Sequence, residues 1–130
     1  MKLKVVTGKI GLDDHYRGIL SVNKALTDAG MEVVYLGTGQ RVDSMVEAAL
    51  QEDADAVGLS FLCGGHLQIM QKFMNRMRER GLDSVLVLIG GVIPDQDIPK
   101  LINDIGVSRV FLPGTPLKDI VDFVKEKTEK

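Results

Sequence analysis

Short apolar runs alternate with amphipathic segments along the whole chain. Between the runs, apolar residues recur at three- and four-residue spacing, which is typical of helices that pack one face on a sheet. Each run is only four to six residues long and rich in β-branched or aliphatic residues, which predicts buried parallel strands. The predicted strands are Leu3–Thr7, Glu32–Leu36, Ala56–Ser60, Ser84–Ile89 and Arg109–Leu112.

Five strands separated by five helices predict an α/β fold with right-handed crossovers. We expect a flavodoxin-like (Rossmann-like) doubly wound five-stranded parallel sheet, of order 2-1-3-4-5, with helices on both faces. In such a sheet the ligand crevice lies outside the carboxyl ends of the strands, where the strand order reverses. Residues with unusual chemistry follow four of the strands, so we expect them to meet at one edge: Lys9–Gly18, Ser60–His66, Gly90-Gly91 and Pro113–Thr115.

The connection after the first strand is the most informative of these segments. It runs from Lys9 to Gly18, longer than the roughly 2–6 residues usual between a strand and a helix. Within it, Asp13, His15 and Gly18 form the pattern Asp-x-His-x-x-Gly. His15 can offer one ring nitrogen to a metal while Asp13 holds the other, and Gly18 permits close approach of a ligand. The alternative is a polar loop with a chance histidine.

Other candidate residues have structural explanations as well as functional ones. Ser60 either contacts a ligand or satisfies local backbone at a strand end. A phospho-acceptor receiver would need an acid there. Gly90-Gly91 forms either a plain turn or a smooth groove for a bulky group. Thr115 is explained as an N-cap before Pro116.

A zinc site is the main rival to this interpretation. Asp13, His15, Cys63 and His66 have suitable ligand types, although their spacing matches no usual zinc pattern. Cys63 is otherwise explained as a small buried residue, and His66 as a capping or ligand-contacting residue at the start of a helix.

Composition excludes several classes of function. The chain has 130 residues, which predicts one domain over 1–130, and a net charge of −2, which favours neither nucleic acid nor an anionic membrane. The longest apolar run, Val85 to Ile89, is far too short to span a bilayer. A single cysteine fits a reducing cytoplasm, and the first strand begins too early to leave room for a signal peptide.

Several motifs together resemble the cobalamin-binding domain of the adenosylcobalamin-dependent mutases. The resemblance runs from Val5 to about Val124 and is strongest to methylmalonyl-CoA mutase and its acyl-CoA relatives. It is carried by Gly-Leu-Asp-Asp-His-Tyr-Arg-Gly, Gln-Glu-Asp-Ala-Asp-Ala-Val-Gly-Leu-Ser, Gly-Gly-Val-Ile-Pro-Asp and Val-Phe-Leu-Pro-Gly-Thr.

The resemblance implies that cobalamin binds base-off, with a histidine on cobalt in place of the cofactor's own dimethylbenzimidazole. His15 would then be the lower axial ligand, Asp13 would accept its other N–H, and Lys9 would pair with Asp13. The remaining residues implied to contact the cofactor, most of them around its displaced nucleotide tail, are Gly18, Ser60, Leu62, Gly90, Gly91, Phe111 and Thr115.

The resemblance also implies a partner. Mutase chemistry needs a substrate barrel of about 250 residues, for which 130 residues leave no room. We therefore expect a small subunit that carries adenosylcobalamin to a large barrel subunit, where an acyl-CoA is rearranged. The chain alone would not be catalytic. The alternative is a corrinoid methyl carrier or a cobalamin sensor.

Overall fold

The computed structural model of the chain describes residues 2–10, 17–61 and 65–128. Within these ranges five strands form one sheet of order β2-β1-β3-β4-β5, and every neighbouring pair is parallel. The predicted strand order is confirmed. The strands are β1 Lys4–Lys9, β2 Glu32–Tyr35, β3 Ala56–Phe61, β4 Leu86–Gly91 and β5 Arg109–Phe111.

Helices cover both faces of the sheet. Helices α1 and α4 pack against each other on one face, while α2 and α3 pack together on the other. Two of these helices are followed by glycines of positive φ, since Gly30 follows α1 and Gly81 follows α3. The α-helices of the described residues are α1 Arg17–Asp28, α2 Val42–Gln51, α3 His66–Glu79 and α4 Leu117–Thr128.

The segment between β4 and β5 is not the α-helix that its apolar spacing predicts. A 3₁₀ turn, Asp95–Asp97, is followed by a π-helical segment, Lys100–Ile105. Pro99 has no backbone N–H and cannot make the bond that would carry an α-helix through the segment. Part of the apolar stripe is nevertheless buried, with Leu101 and Ile105 almost inaccessible to solvent, whereas Ile102 is exposed.

Two strands extend further toward the carboxyl edge than the sequence predicts. Lys9 is not in a loop but ends β1, where its N–H donates to the carbonyl of Gly37. Gly90 and Gly91 do not follow β4 but form its last two residues. Pairing with neighbouring strands outweighs the low strand propensity of lysine and glycine at these positions.

Buried apolar residues form two layers, one on each face of the sheet. The larger layer lies under α2, α3 and the π-helical segment and includes Met70, Phe73 and Met77. Met70 and Met77, on one face of α3, are therefore core residues. The smaller layer lies under α1 and α4 and includes Leu26, Ile120 and Val124.

The two edge strands are short. β2 has four residues and β5 has three, and the guanidinium of Arg109 lies over the rings of Phe111 and Phe123 beside the β5 edge. None of the helices among the described residues is long and apolar enough to cross a bilayer.

Candidate functional site

A cavity of about 680 Å³ opens on the α1/α4 face, at the carboxyl ends of the strands. Its floor is formed by the ends of β1, β3 and β4, and its sides by α1 and by the connection from β5 to α4. The wall is mostly apolar, with Val22, Leu26 and Ile120 among the lining side chains. The cavity therefore lies where the strand order predicts a ligand site.

The structure brings most of the predicted site residues together around this cavity. Asp13, His15 and Leu62 lie outside the described residues, so the proposed metal ligand and its carboxylate partner stay predictions. The predicted residues that line the cavity are Lys9, Gly18, Ser60, Gly90, Gly91, Phe111 and Thr115.

Lys9 is a buried cation at the floor of the cavity. Only 1% of the residue is exposed, and its ammonium nitrogen lies 3.5 Å from the hydroxyl oxygen of Ser60. The two residues are register partners on β1 and β3, so the backbone fixes this proximity. Burial of an ammonium is costly unless an anionic group compensates it.

The other end of β1 holds a lysine in an ordinary setting. Lys4 donates to Glu52 at 3.3 Å and lies 3.4 Å from Glu32. The hydrogen bond to Glu52 raises the pKa of Lys4 above its usual value. Both carboxylates are partly exposed, so this pair is a surface feature, unlike Lys9.

The two glycines at the end of β4 have different roles. Gly91 has a φ of 122°, and a Cβ atom at this position would overlap the backbone carbonyl of Phe61. Gly91 is therefore required for the close approach of β4 to β3. A Cβ on Gly90 would lie 3.5 Å from the carbonyl oxygen of Phe111, an ordinary contact. Gly90 instead keeps side-chain atoms out of the cavity floor.

Phe111 and Thr115 bound the far side of the cavity. The ring of Phe111 meets Phe123 edge-to-face, with centroids 5.9 Å apart. The hydroxyl of Thr115 donates a 2.6 Å hydrogen bond to the carbonyl of Leu112. This bond braces the turn between β5 and α4. Because α4 begins at Leu117, two residues after Thr115, the predicted N-cap role of Thr115 is wrong.

Sequence reasoning missed Thr7. This residue is 2% exposed, lines the cavity and donates a 2.8 Å hydrogen bond from its hydroxyl to the side-chain carbonyl of Asn23. The bond joins β1 to α1 at the edge of the site. Strand alternation was the available signal, because Val5, Thr7 and Lys9 point to the same face.

His66 is buried on the opposite face of the sheet. Its Nε2 atom lies 2.8 Å from a carboxylate oxygen of Asp97. The other members of the rival zinc site, Asp13, His15 and Cys63, lie outside the described residues. Within ranges 2–10, 17–61 and 65–128, no three His, Cys, Asp or Glu side chains group as a metal site would require.

The cavity has the character of a small-molecule site. Its volume falls within the roughly 300–1,000 Å³ of such sites, and a few polar groups stand in an apolar wall. A flat apolar group with a polar end fits this lining, since the glycine-bordered floor is smooth and Lys9, Ser60 and Thr7 provide polar atoms. Fold and site together define a doubly wound α/β domain that binds a small molecule at its carboxyl edge.

The chain belongs to the B12 binding domain family, which matches residues 3–121. It is 40% identical over 123 residues to the 2-hydroxyisobutanoyl-CoA mutase small subunit of Aquincola tertiaricarbonis, covering 95% of this chain and 90% of that one. It is 42% identical over 128 residues to the pivalyl-CoA mutase small subunit of Xanthobacter autotrophicus, covering 98% and 85%. Methylmalonyl-CoA mutase of Rhizobium meliloti is 34% identical over an alignment of 130 positions, which covers 97% of this chain but 18% of that protein.

Solved structures share the fold. A cobalamin-binding protein from Desulfitobacterium hafniense superposes with a TM-score of 0.82 at 23% identity, covering 97% of this chain and 59% of that one. The monomethylamine corrinoid protein of Methanosarcina barkeri superposes with a TM-score of 0.79 at 24% identity, covering 95% of this chain and 57% of that one. At these identities the likeness concerns the fold alone.

Proposed function

We propose that this protein is the cobalamin-binding small subunit of an adenosylcobalamin-dependent acyl-CoA mutase. The observation that carries the proposal is the cavity, which is lined by every described residue that the sequence predicts for a cobalamin site. Family membership supplies the ligand class. The similarity to small subunits of two CoA mutases, at 40% and 42% identity, favours this function over a methyl carrier or a sensor.

In this proposal the nucleotide tail of cobalamin occupies the cavity. The apolar lining from α1 and α4 accepts the flat dimethylbenzimidazole, and Gly90 leaves room for it on the floor. Ser60 on the floor and Thr115 on the far side provide hydroxyl groups. His15, six residues beyond the end of β1, is then the lower axial ligand of cobalt.

Lys9 is proposed to hold the histidine indirectly. Its buried ammonium stabilises a carboxylate, and Asp13 is four residues further along the chain. Asp13 in turn accepts the second ring N–H of His15, which fixes the tautomer and orientation of the imidazole. The contact between Lys9 and Ser60 anchors this series of residues to the sheet.

The partner is proposed to be a large subunit with a barrel that binds an acyl-CoA. Methylmalonyl-CoA mutase supports this, because this chain aligns with only 18% of that longer protein. When bound, adenosylcobalamin supplies the radical chemistry of a 1,2-carbon-skeleton rearrangement. This chain binds and orients the cofactor, and a single cysteine fits a cytoplasmic location.

Electron paramagnetic resonance of bound cob(II)alamin tests the cobalt ligand. Protein labelled with ¹⁵N-histidine and loaded with unlabelled cofactor should show doublet hyperfine splitting from one histidine nitrogen. The chain has two histidines, so His15→Gln should abolish this splitting and His66→Gln should retain it. Triplet splitting from the cofactor's own base in the wild-type protein would contradict histidine ligation.

A further inference from the structure

The turn between β2 and α2 holds the end of β1 that leads toward His15. The N–H of Lys9 donates to the carbonyl of Gly37 at 3.0 Å, and the N–H of Gln40 donates to the carbonyl of Lys9 at 2.9 Å. Ile10 then pairs with Gln40 in a parallel bridge. The N–H and the carbonyl of Lys9 are therefore both bonded to the turn, and not to β2 itself.

The side chain of Gln40 joins the two ends of this turn. Its Nε2 atom donates to the carbonyl of Leu36, just after β2, at 2.8 Å. Its Oε1 atom accepts a 3.0 Å hydrogen bond from the hydroxyl of Ser44, in the first turn of α2. A flipped amide would place its oxygen against the Leu36 carbonyl, so these two partners determine the orientation of the amide. One half-buried side chain therefore connects the end of β2 to the start of α2.

These bonds matter because the backbone of the turn has much freedom to lose on folding. Gly37 and Gly39 have φ values of 93° and 72°, and glycine loses more conformational entropy on folding than any other residue. The turn can hold Lys9 only as firmly as the turn is itself held. The Cγ atom of Gln40 also lies 3.4 Å from where a Cβ on Gly8 would stand, so the stem of Gln40 packs against β1.

The bridge between Ile10 and Gln40 is the last pairing of β1 in the part of the chain that the structure describes. On the other side of the strand, pairing with β3 ends one residue earlier, at Lys9 and Ser60. The chain then continues to His15, five residues after Ile10. The point from which it runs toward the proposed ligand is therefore held by the Gln40 turn.

We propose that Gln40 is a positioning residue for the cobalt ligand. By holding the turn against Lys9 and Ile10, it fixes where the chain leaves β1, and so where the imidazole of His15 can meet cobalt. This inference rests on the proposed cobalamin function and deepens it, because Gln40 does not line the cavity that would receive the nucleotide tail. Its loss should therefore weaken histidine ligation and leave the cavity intact.

Gln40→Met tests this role, because methionine has a similar length and no amide group. The variant should bind hydroxocobalamin about tenfold more weakly. In the cob(II)alamin spectrum of ¹⁵N-histidine-labelled variant, the histidine doublet should lose intensity without a triplet from the cofactor's own base replacing it, because that base still occupies the cavity. If Gln40→Met does not fold, Gln40→Glu should have the same effects, since it keeps the acceptor for Ser44 but places an oxygen against the Leu36 carbonyl.

Gln71→Met is the matched control. Gln71 is an exposed glutamine of α3 whose Nε2 atom donates to Asn75 at 3.1 Å, and it lines no part of the cavity. The control should keep the affinity and the doublet of the wild type.

Three results for Gln40→Met would overturn the inference: wild-type affinity and doublet, weaker binding with an undiminished doublet, or a triplet in place of the doublet. The last would locate the effect in the cavity and not at the histidine. A wild-type chain that does not bind cobalamin, or that itself shows the triplet, would instead overturn the proposed function, and the inference with it.

Discussion

The two faces of the sheet are packed in different ways. Under α2 and α3, side chains from strands and helices fill the interior, and Met45, Met70 and Phe73 are wholly buried. Under α1 and α4, the same sheet borders a cavity of about 680 Å³. Alternation along a strand separates the faces, because Val6 belongs to the packed layer and Thr7 lines the cavity.

This difference indicates a division of roles between the two faces. Protein interiors are normally close-packed, with few voids larger than a water molecule, so a large apolar cavity is retained for an occupant. We infer that the α2/α3 face supplies most of the stability of the chain. In the proposed function, the cofactor would supply the contacts that the α1/α4 face lacks. The three predictions below test this division.

A matched pair of leucines gives the largest expected effect. Leu101 is 0% exposed in the packed layer, and Leu26 is 1% exposed but lines the cavity. Leucine-to-alanine changes in cores cost about 2–5 kcal/mol. We expect Leu101→Ala near the upper end of that range and Leu26→Ala near the lower end, because the space that Leu26 leaves opens into the cavity and is not a sealed void. Urea unfolding measures both.

For the affinity for cobalamin we expect the opposite order, with the larger loss in Leu26→Ala. Leu26→Ala should weaken binding of hydroxocobalamin, whereas folded Leu101→Ala should bind like the wild type. Equal losses of stability, together with equal affinities, would contradict the division between the faces.

The two adjacent glycines at the end of β4 are expected to matter for different reasons. Gly91 is needed for the backbone conformation, and Gly90 leaves space for the ligand. Gly91→Ala should lower the free energy of unfolding by about 1–3 kcal/mol, since positive φ and the Phe61 carbonyl both oppose a side chain. Gly90→Ala should fold with little loss, yet bind cobalamin more weakly because its methyl group enters the cavity floor. Thermal melting and cofactor titration measure the two effects. Unweakened binding by Gly90→Ala would show that the tail does not lie against this glycine.

The hydrogen bond of Thr7 gives the smallest expected effect. Thr7→Val keeps the shape of the side chain and removes the donor to Asn23, so we expect a loss of about 1 kcal/mol in the free energy of unfolding. Thr7→Ser keeps the hydroxyl and serves as the control for it. A larger loss for the serine variant, measured by urea unfolding, would show that the methyl group matters more than the bond.

The sequence was sufficient to predict the sheet, because local periodicity identifies the strands and helices, and five of each in alternation favour the doubly wound order. It was also sufficient to select the residues around the cavity, since the carboxyl ends of parallel strands necessarily meet. The end of β1 was misplaced at Thr7, because pairing with β3 extends the strand through residues of low strand propensity. The spacing of apolar residues likewise did not indicate that the segment after β4, which contains Pro99, departs from an α-helix.

The cavity and the histidine–aspartate pair could not have been predicted. A cavity forms where apolar side chains of different elements do not contact each other. The spacing of apolar residues along the sequence gives no information about this. His66 and Asp97 are 31 residues apart, and the irregular turn that brings Asp97 to α3 is itself the part of the fold that periodicity described wrongly. The resemblance to cobalamin-binding domains indicated Lys9, but its burial is a property of the assembled sheet alone.

The short edge strands have a consequence for assembly. A long, flat edge invites another chain to add a strand, and this leads to aggregation or fibres. Here β2 and β5 offer four and three residues, and Arg109 presents a charge beside the β5 edge. Extension of the sheet into a second molecule is thereby disfavoured at either side. We expect the large subunit to dock through helices and loops, which leaves it free to separate from this chain without unpairing a β-sheet.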